Sequence, residues 1–191
     1  LSAVTGHPLH VAVNVATEQL LPGLVDQVVD VLRRHRMSPD RLSLEITEST
    51  LADRSERTRT VLADLRALGA VVSLDDFGTG YSSLSYLTTL PISELKIDRS
   101  FVRDLGDTPQ SSAIVSAIIA LARALGLRVV AEGVEKISQM EVLYNLGCHI
   151  CQGFLYARPM PAAQVVQWLH DTPTGISQAY PGGVSADVHA K

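Results

Sequence analysis

The stretch "VVSLDDFGTGYSSL" (residues 71–84) sets an apolar run, Val71 to Leu74, directly before two adjacent carboxylates, Asp75 and Asp76, and a glycine-hinged loop. Successive side chains of a regular strand point to opposite faces. Two neighbouring acids therefore share a face only where the backbone leaves strand geometry. The stretch predicts a buried strand that ends at Asp75. Asp76 sits one step on, where strand becomes loop, and the turn permitted by Gly78 and Gly80 carries it round to the same side.

Five more runs read as strands: residues 10–17, 42–49, 94–101, 128–135 and 150–157. Helical spacing lies between most of them, as in residues 18–36, 55–68 and 111–125. Leu68-Gly69, Leu125-Gly126 and Leu146-Gly147 each stand just before a strand, where glycine suits a left-handed helix end. Alternating strands and helices imply a parallel sheet.

Residue parity separates an open doubly wound sheet from a barrel. One face of the strands is apolar: Val11, Val13, Val15; Leu42, Leu44, Ile46; Val72, Leu74; Leu95, Ile97; Val129, Ala131. This face is expected to pack against helices. The other carries Asn14, Glu45, Asp75, Glu94, Lys96, Asp98, Glu132 and Gln152, with small residues such as Ser43 and Ser73. An open sheet covered on both sides would be apolar on both. The split predicts an α/β fold of the (β/α)8 TIM-like barrel type, with about six β/α units present and functional groups at the C-terminal mouth.

Composition narrows the chemistry. The chain has 191 residues, 46% hydrophobic and 19% charged, with a net charge of −4. That balance fits one globular domain and gives no basic footprint for long nucleic acid. No apolar run reaches the ~20 residues of a membrane span. Cys148 and Cys151 make no disulfide framework, which fits a reducing cytoplasm. Residues 1–170 are expected to form the domain. Residues 171–191, rich in Gly, Pro and Ser, read as a flexible tail.

The inward set holds carboxylates, two amides, one lysine and no histidine. Oxygen-only ligation suits hard cations such as Mg2+ or Mn2+ rather than zinc. A carboxylate such as Asp75 can bridge two such ions about 3.5–4 Å apart, as in metal-assisted phosphoester hydrolysis. Glu132 is then placed to take a proton from the attacking water, and Lys96 to balance charge or hold that water. One buried acid beside one lysine is ordinarily an ion pair; matched polar residues on six strands ask for more.

The segments "NVATEQL", "LEITES", "LDDFGTGYSSLSYL", "LKIDRSFV", "VVAEGVE" and "QGFLYARP" resemble, in order, the signature segments of the EAL domain family. Those bacterial phosphodiesterases open cyclic di-GMP to linear pGpG. The resemblance implies metal ligands at Asn14, Glu45, Asp75 and Asp76, with Asp75 bridging a two-metal site. It implies a general base at Glu132 and a water-holding lysine at Lys96. Glu48 matches a glutamate that steadies the loop after Asp76, and Asp98, Glu135 and Gln152 match residues around the site. The loop Gly78, Thr79, Gly80, Tyr81, Ser82, Ser83 matches the segment that links the metals to a homodimer contact. A sensory or cyclase domain is expected upstream.

Two departures qualify the resemblance. Ala16 stands where serine is frequent. The Glu-Ala-Leu motif, its metal-ligating glutamate and two strands do not occur in the sequence, so the chain reads as part of a longer protein with an intact barrel. A non-catalytic cyclic di-GMP receptor, or an inactive fragment, is the alternative to the enzyme.

Overall fold

A computed structural model describes residues 9–48, 55–78 and 84–171. Six strands, β1 (Val11–Asn14), β2 (Leu42–Thr47), β3 (Val71–Phe77), β4 (Glu94–Ile97), β5 (Arg128–Ala131) and β6 (Ile150–Cys151), form one parallel sheet in sequence order. Between and after them run α1 (Gly23–His35), α2 (Glu56–Leu68), α3 (Leu84–Leu87), α4 (Arg99–Arg103), α5 (Pro109–Ala124), α6 (Ile137–Leu146) and α7 (Ala162–Asp171). Consecutive parallel strands joined by helices are the repeating unit of a (β/α)8 barrel. The sheet curls as a six-stranded portion of one.

Burial shows the curl directly. Outward Ile46, Val72, Leu74, Leu95 and Ile97 are at most 1% exposed, packed under the helices. At the middle of the sheet the inward residues are almost as dry, with Glu45 at 4%, Ser73 at 0% and Lys96 at 2%. A flat sheet would leave that polar face wet; curvature turns it in on itself.

Helix ends follow local chemistry. Ser55 caps α2 by accepting from Thr58 N at 3.2 Å, and Thr108 caps α5 from Ser111 N at 3.2 Å, with Pro109 opening the helix. Gly69, Gly126 and Gly147 all take positive φ at the expected Leu-Gly ends.

Several expected boundaries shift. The run 94–101 is strand only to Ile97, because Asp98 accepts from Ser100 N at 2.9 Å and starts α4. The helical run 18–36 splits into a short turn at Thr17–Gln19 and α1 beyond Pro22. Val11 and Val13 were expected under helices but are 40% and 44% exposed, because β1 is an edge strand. Both cysteines are free and buried. Of residues 171–191, expected as a tail, Asp171 instead ends α7, and 172–191 lie outside the described residues.

Leu65 faces inward from α2 at 0% exposure. Leu65→Ala is expected to cost about 3 kcal/mol of stability in urea denaturation, and a loss below about 1 kcal/mol would show that the α2 face is not a rigid core.

Candidate active site

The site begins with an irregularity in β3. Leu74 pairs with Leu95, but the next β4 residue in register, Ile97, pairs with Phe77, so β3 spends one extra residue. That bulge falls on Asp75 and Asp76, and Asp76 sits at φ 54° in the left-handed region. The adjacent acids therefore reach one side through a bulge inside the strand. The sequence had placed the displacement after the strand, at Gly78 and Gly80; β3 instead continues to Phe77. Asp76 N donates to Asp75 Oδ1 at 3.1 Å, which fixes the kink.

Lys96 stands at the centre of the inward face. Its Nζ pairs with Glu45 Oε1 at 2.6 Å and with Asp75 Oδ1 at 3.2 Å. It also pairs with Glu132 Oε1. Burial alone would push the ammonium down, but Glu132, Glu45 and Asp75 hold it well above the usual lysine range. Glu132 responds the other way. Burial pushes its carboxyl up to about 7, with Lys96 opposing and Asp75 adding to the rise. Gln152 Nε2 donates to Glu132 Oε1 at 2.5 Å.

Carboxylate oxygens of Asp75, Asp76 and Glu132 all lie within 4.8 Å of one another. Burial raises Asp76, and the neighbouring Asp75 and Asp98 charges raise it further. Burial works against Asp98, yet hydrogen bonds from Ser100 and Asp76 hold it low. Converging oxygens with unfavourable mutual repulsion and no nitrogen or sulfur donor fit a hard divalent cation.

The other expected residues are placed as follows. Glu45 lies beside this trio, turned to Lys96. Asn14 is in register with Glu45 at the exposed end of β1. Glu48 is 8% exposed and accepts from Gly78 N at 3.3 Å, so it anchors the chain leaving the bulge. Glu135 is exposed, with its backbone N–H bound to Gln139. Thr79, Gly80, Tyr81, Ser82 and Ser83 lie outside the described residues. Glu94 shares the inward parity but pairs with Arg128 at 2.6 Å at the opposite end of the strands. Parity alone could not tell floor from mouth; position along the strand does. Gln139 escaped notice, although a glutamine at the third position of a helix is a capping signature.

Removing Lys96 leaves three buried carboxylates facing one another. Lys96→Met is expected to lower the thermal midpoint in EDTA, equivalent to about 3–5 kcal/mol, and to recover part of the loss on adding Mn2+. A midpoint unchanged in EDTA would mean the ion pairs contribute nothing to the fold.

Known proteins place this geometry. The sequence profile of the EAL domain matches residues 1–159. The bifunctional diguanylate cyclase/cyclic di-GMP phosphodiesterase MucR of Pseudomonas aeruginosa is 51% identical over 158 residues, covering 82% of this chain and 23% of MucR. A solved structure of the MucR phosphodiesterase in complex with cyclic di-GMP has a TM-score of 0.74 at 52% identity, covering 82% of this chain and 64% of that one. Klebsiella pneumoniae BlrP1, solved with manganese and cyclic di-GMP, has a TM-score of 0.74 at 33% identity, covering 82% and 41%. By its matched profile, its fold and its relatives, the chain belongs to the EAL domain family.

Proposed function

We propose that this site hydrolyses one phosphodiester bond of cyclic di-GMP to give linear pGpG, using Mg2+ or Mn2+. The observation that carries the reading is the convergence of Asp75, Asp76 and Glu132 beside buried Lys96. MucR's name as a phosphodiesterase and BlrP1's manganese and cyclic di-GMP support it.

Asp75 and Asp76 would hold the cations, with Glu45 and Asn14 alongside. Cations bound there supply positive charge against the negative charge that develops on the phosphoryl oxygens. Water attacks phosphorus in line. Glu132 takes the water's proton, the P–O3′ bond breaks, and the 3′-oxygen departs with the bonding pair and takes a proton from solvent. A carboxyl raised toward neutrality by burial is suited to that base role. Lys96 and Gln152 hold Glu132 in place, and Glu48 keeps the chain after Asp76 from swinging away. A homodimer through the loop 78–83, and a sensory or cyclase domain elsewhere in the polypeptide, belong to the same reading.

The assay is release of pGpG from cyclic di-GMP with Mn2+. EDTA should abolish it, and Mn2+ or Mg2+ restore it. Glu132→Gln should lower kcat by about 10^2-fold or more while leaving dinucleotide binding in place. A protein that binds cyclic di-GMP but never turns it over would instead be a receptor.

A further inference from the structure

Gln139, the third residue of α6, is 2% exposed. A primary amide offers two acceptor positions and two donors, and Gln139 uses all of them. Its Oε1 accepts from Glu135 N at 2.8 Å and Lys136 N at 2.9 Å. Its Nε2 donates to Val102 O at 3.1 Å and Arg103 O at 3.0 Å. Capping its own helix needs only the first pair. The second pair ties α6 to the last turn of α4, more than thirty residues away in sequence.

Both partners belong to the site. The loop Glu132–Lys136 starts at the candidate base. Glu132 N donates to Ile97 O at 3.1 Å, Val134 N to Gln152 O at 3.0 Å, and the next two amides go to Gln139. The helix α4 begins at Asp98, whose carboxyl group lies beside that of Asp76. Arg99 packs against the same loop: a Cβ on Gly133, at φ +67°, would lie 2.5 Å from Arg99 Cβ. The short helix thus spans from the Asp75–Asp76 bulge to the base-bearing loop, and Gln139 fastens its far end.

We propose that Gln139 is a positioning residue: by joining the loop Glu132–Lys136 to α4, it sets the distance between Glu132 and the carboxylate pair on β3. The proposal rests on the phosphodiesterase reading for its catalytic consequence. Its structural half stands on the four hydrogen bonds alone. Misplacing a catalytic group by about 1 Å can cost about 10^2-fold in rate, so the effect should appear in kcat, not in binding.

Gln139→Glu separates the two duties. It keeps an acceptor for Glu135 N and Lys136 N, so the helix cap survives. It loses both donors and sets negative charge against two carbonyl oxygens. The expected result is a kcat lower by about tenfold or more, with KM for cyclic di-GMP and the Mn2+ dissociation constant within about threefold of wild type. Amide hydrogen exchange should quicken in residues 132–136 and in α4, and stay unchanged in β1 to β4. Gln139→Met, which keeps the volume but removes both pairs, should fall further in kcat and lose thermal stability as well. Wild-type kcat in Gln139→Glu overturns the proposal, as does a kcat loss matched by an equal loss of Mn2+ affinity. A wild-type protein that hydrolyses nothing would sink the phosphodiesterase reading instead. Exchange in Gln139→Glu would then decide: unchanged protection at residues 132–136 removes the positioning role, and faster exchange confined to that loop and α4 retains it.

Discussion

One ammonium group organises the inward face. Lys96 is 2% exposed and lies against Glu45 on β2, Asp75 on β3 and Glu132 just past the end of β5. Charges removed from water are tolerable only when opposed at close range. A single cation opposing three anions leaves the cluster net negative, and Asp98, held low, adds to that. Such a cluster is a sink for positive charge. It also constrains the strands, because β2, β3, β4 and β5 must all stay in register for one ammonium to reach three acids. A one-residue slip of any of these strands would send its inward side chains to the helix side.

Much of this is legible in the sequence. Alternation fixed which side chains point inward, and the rule that barrel chemistry gathers at the C-terminal mouth chose among them. That reasoning found Lys96, Asp75, Glu45 and Glu132, which the structure brings into contact. It failed where a residue's meaning depends on a neighbour distant in sequence. Glu94 and Lys96 have the same parity and are two residues apart, yet Glu94 meets Arg128 at the floor while Lys96 meets acids near the mouth. Gln139 sits in no strand, so parity never examined it. Its local signature announces a helix start, and only the fold reveals that α4 lies within its reach. Val11 and Val13 misled for a related reason. Alternation says which way a valine points, and the position of its strand in the sheet says whether anything covers it.

The aspartate pair shows what the backbone contributes. Asp76 adopts a conformation that glycine takes freely and other residues adopt at a cost of about 1–3 kcal/mol. A glycine there would relieve the strain and delete the carboxylate. The strain is balanced by what surrounds it. Asp76 N is taken up by Asp75, the Asp98 carboxyl lies beside that of Asp76, and Glu48 receives the amide of Gly78 just beyond. Each partner comes from a different place in the fold: β3 itself, the cap of α4, and the residue after β2. A bulge held from three directions cannot relax into a regular strand without breaking all three contacts, and a regular strand would send one acid to the helix side. The placement of both acids at one mouth is therefore a property of the bulge and its anchors together. Asp98 has a second duty as the cap of α4, so the geometry of the acid pair and the position of that helix are set by one side chain.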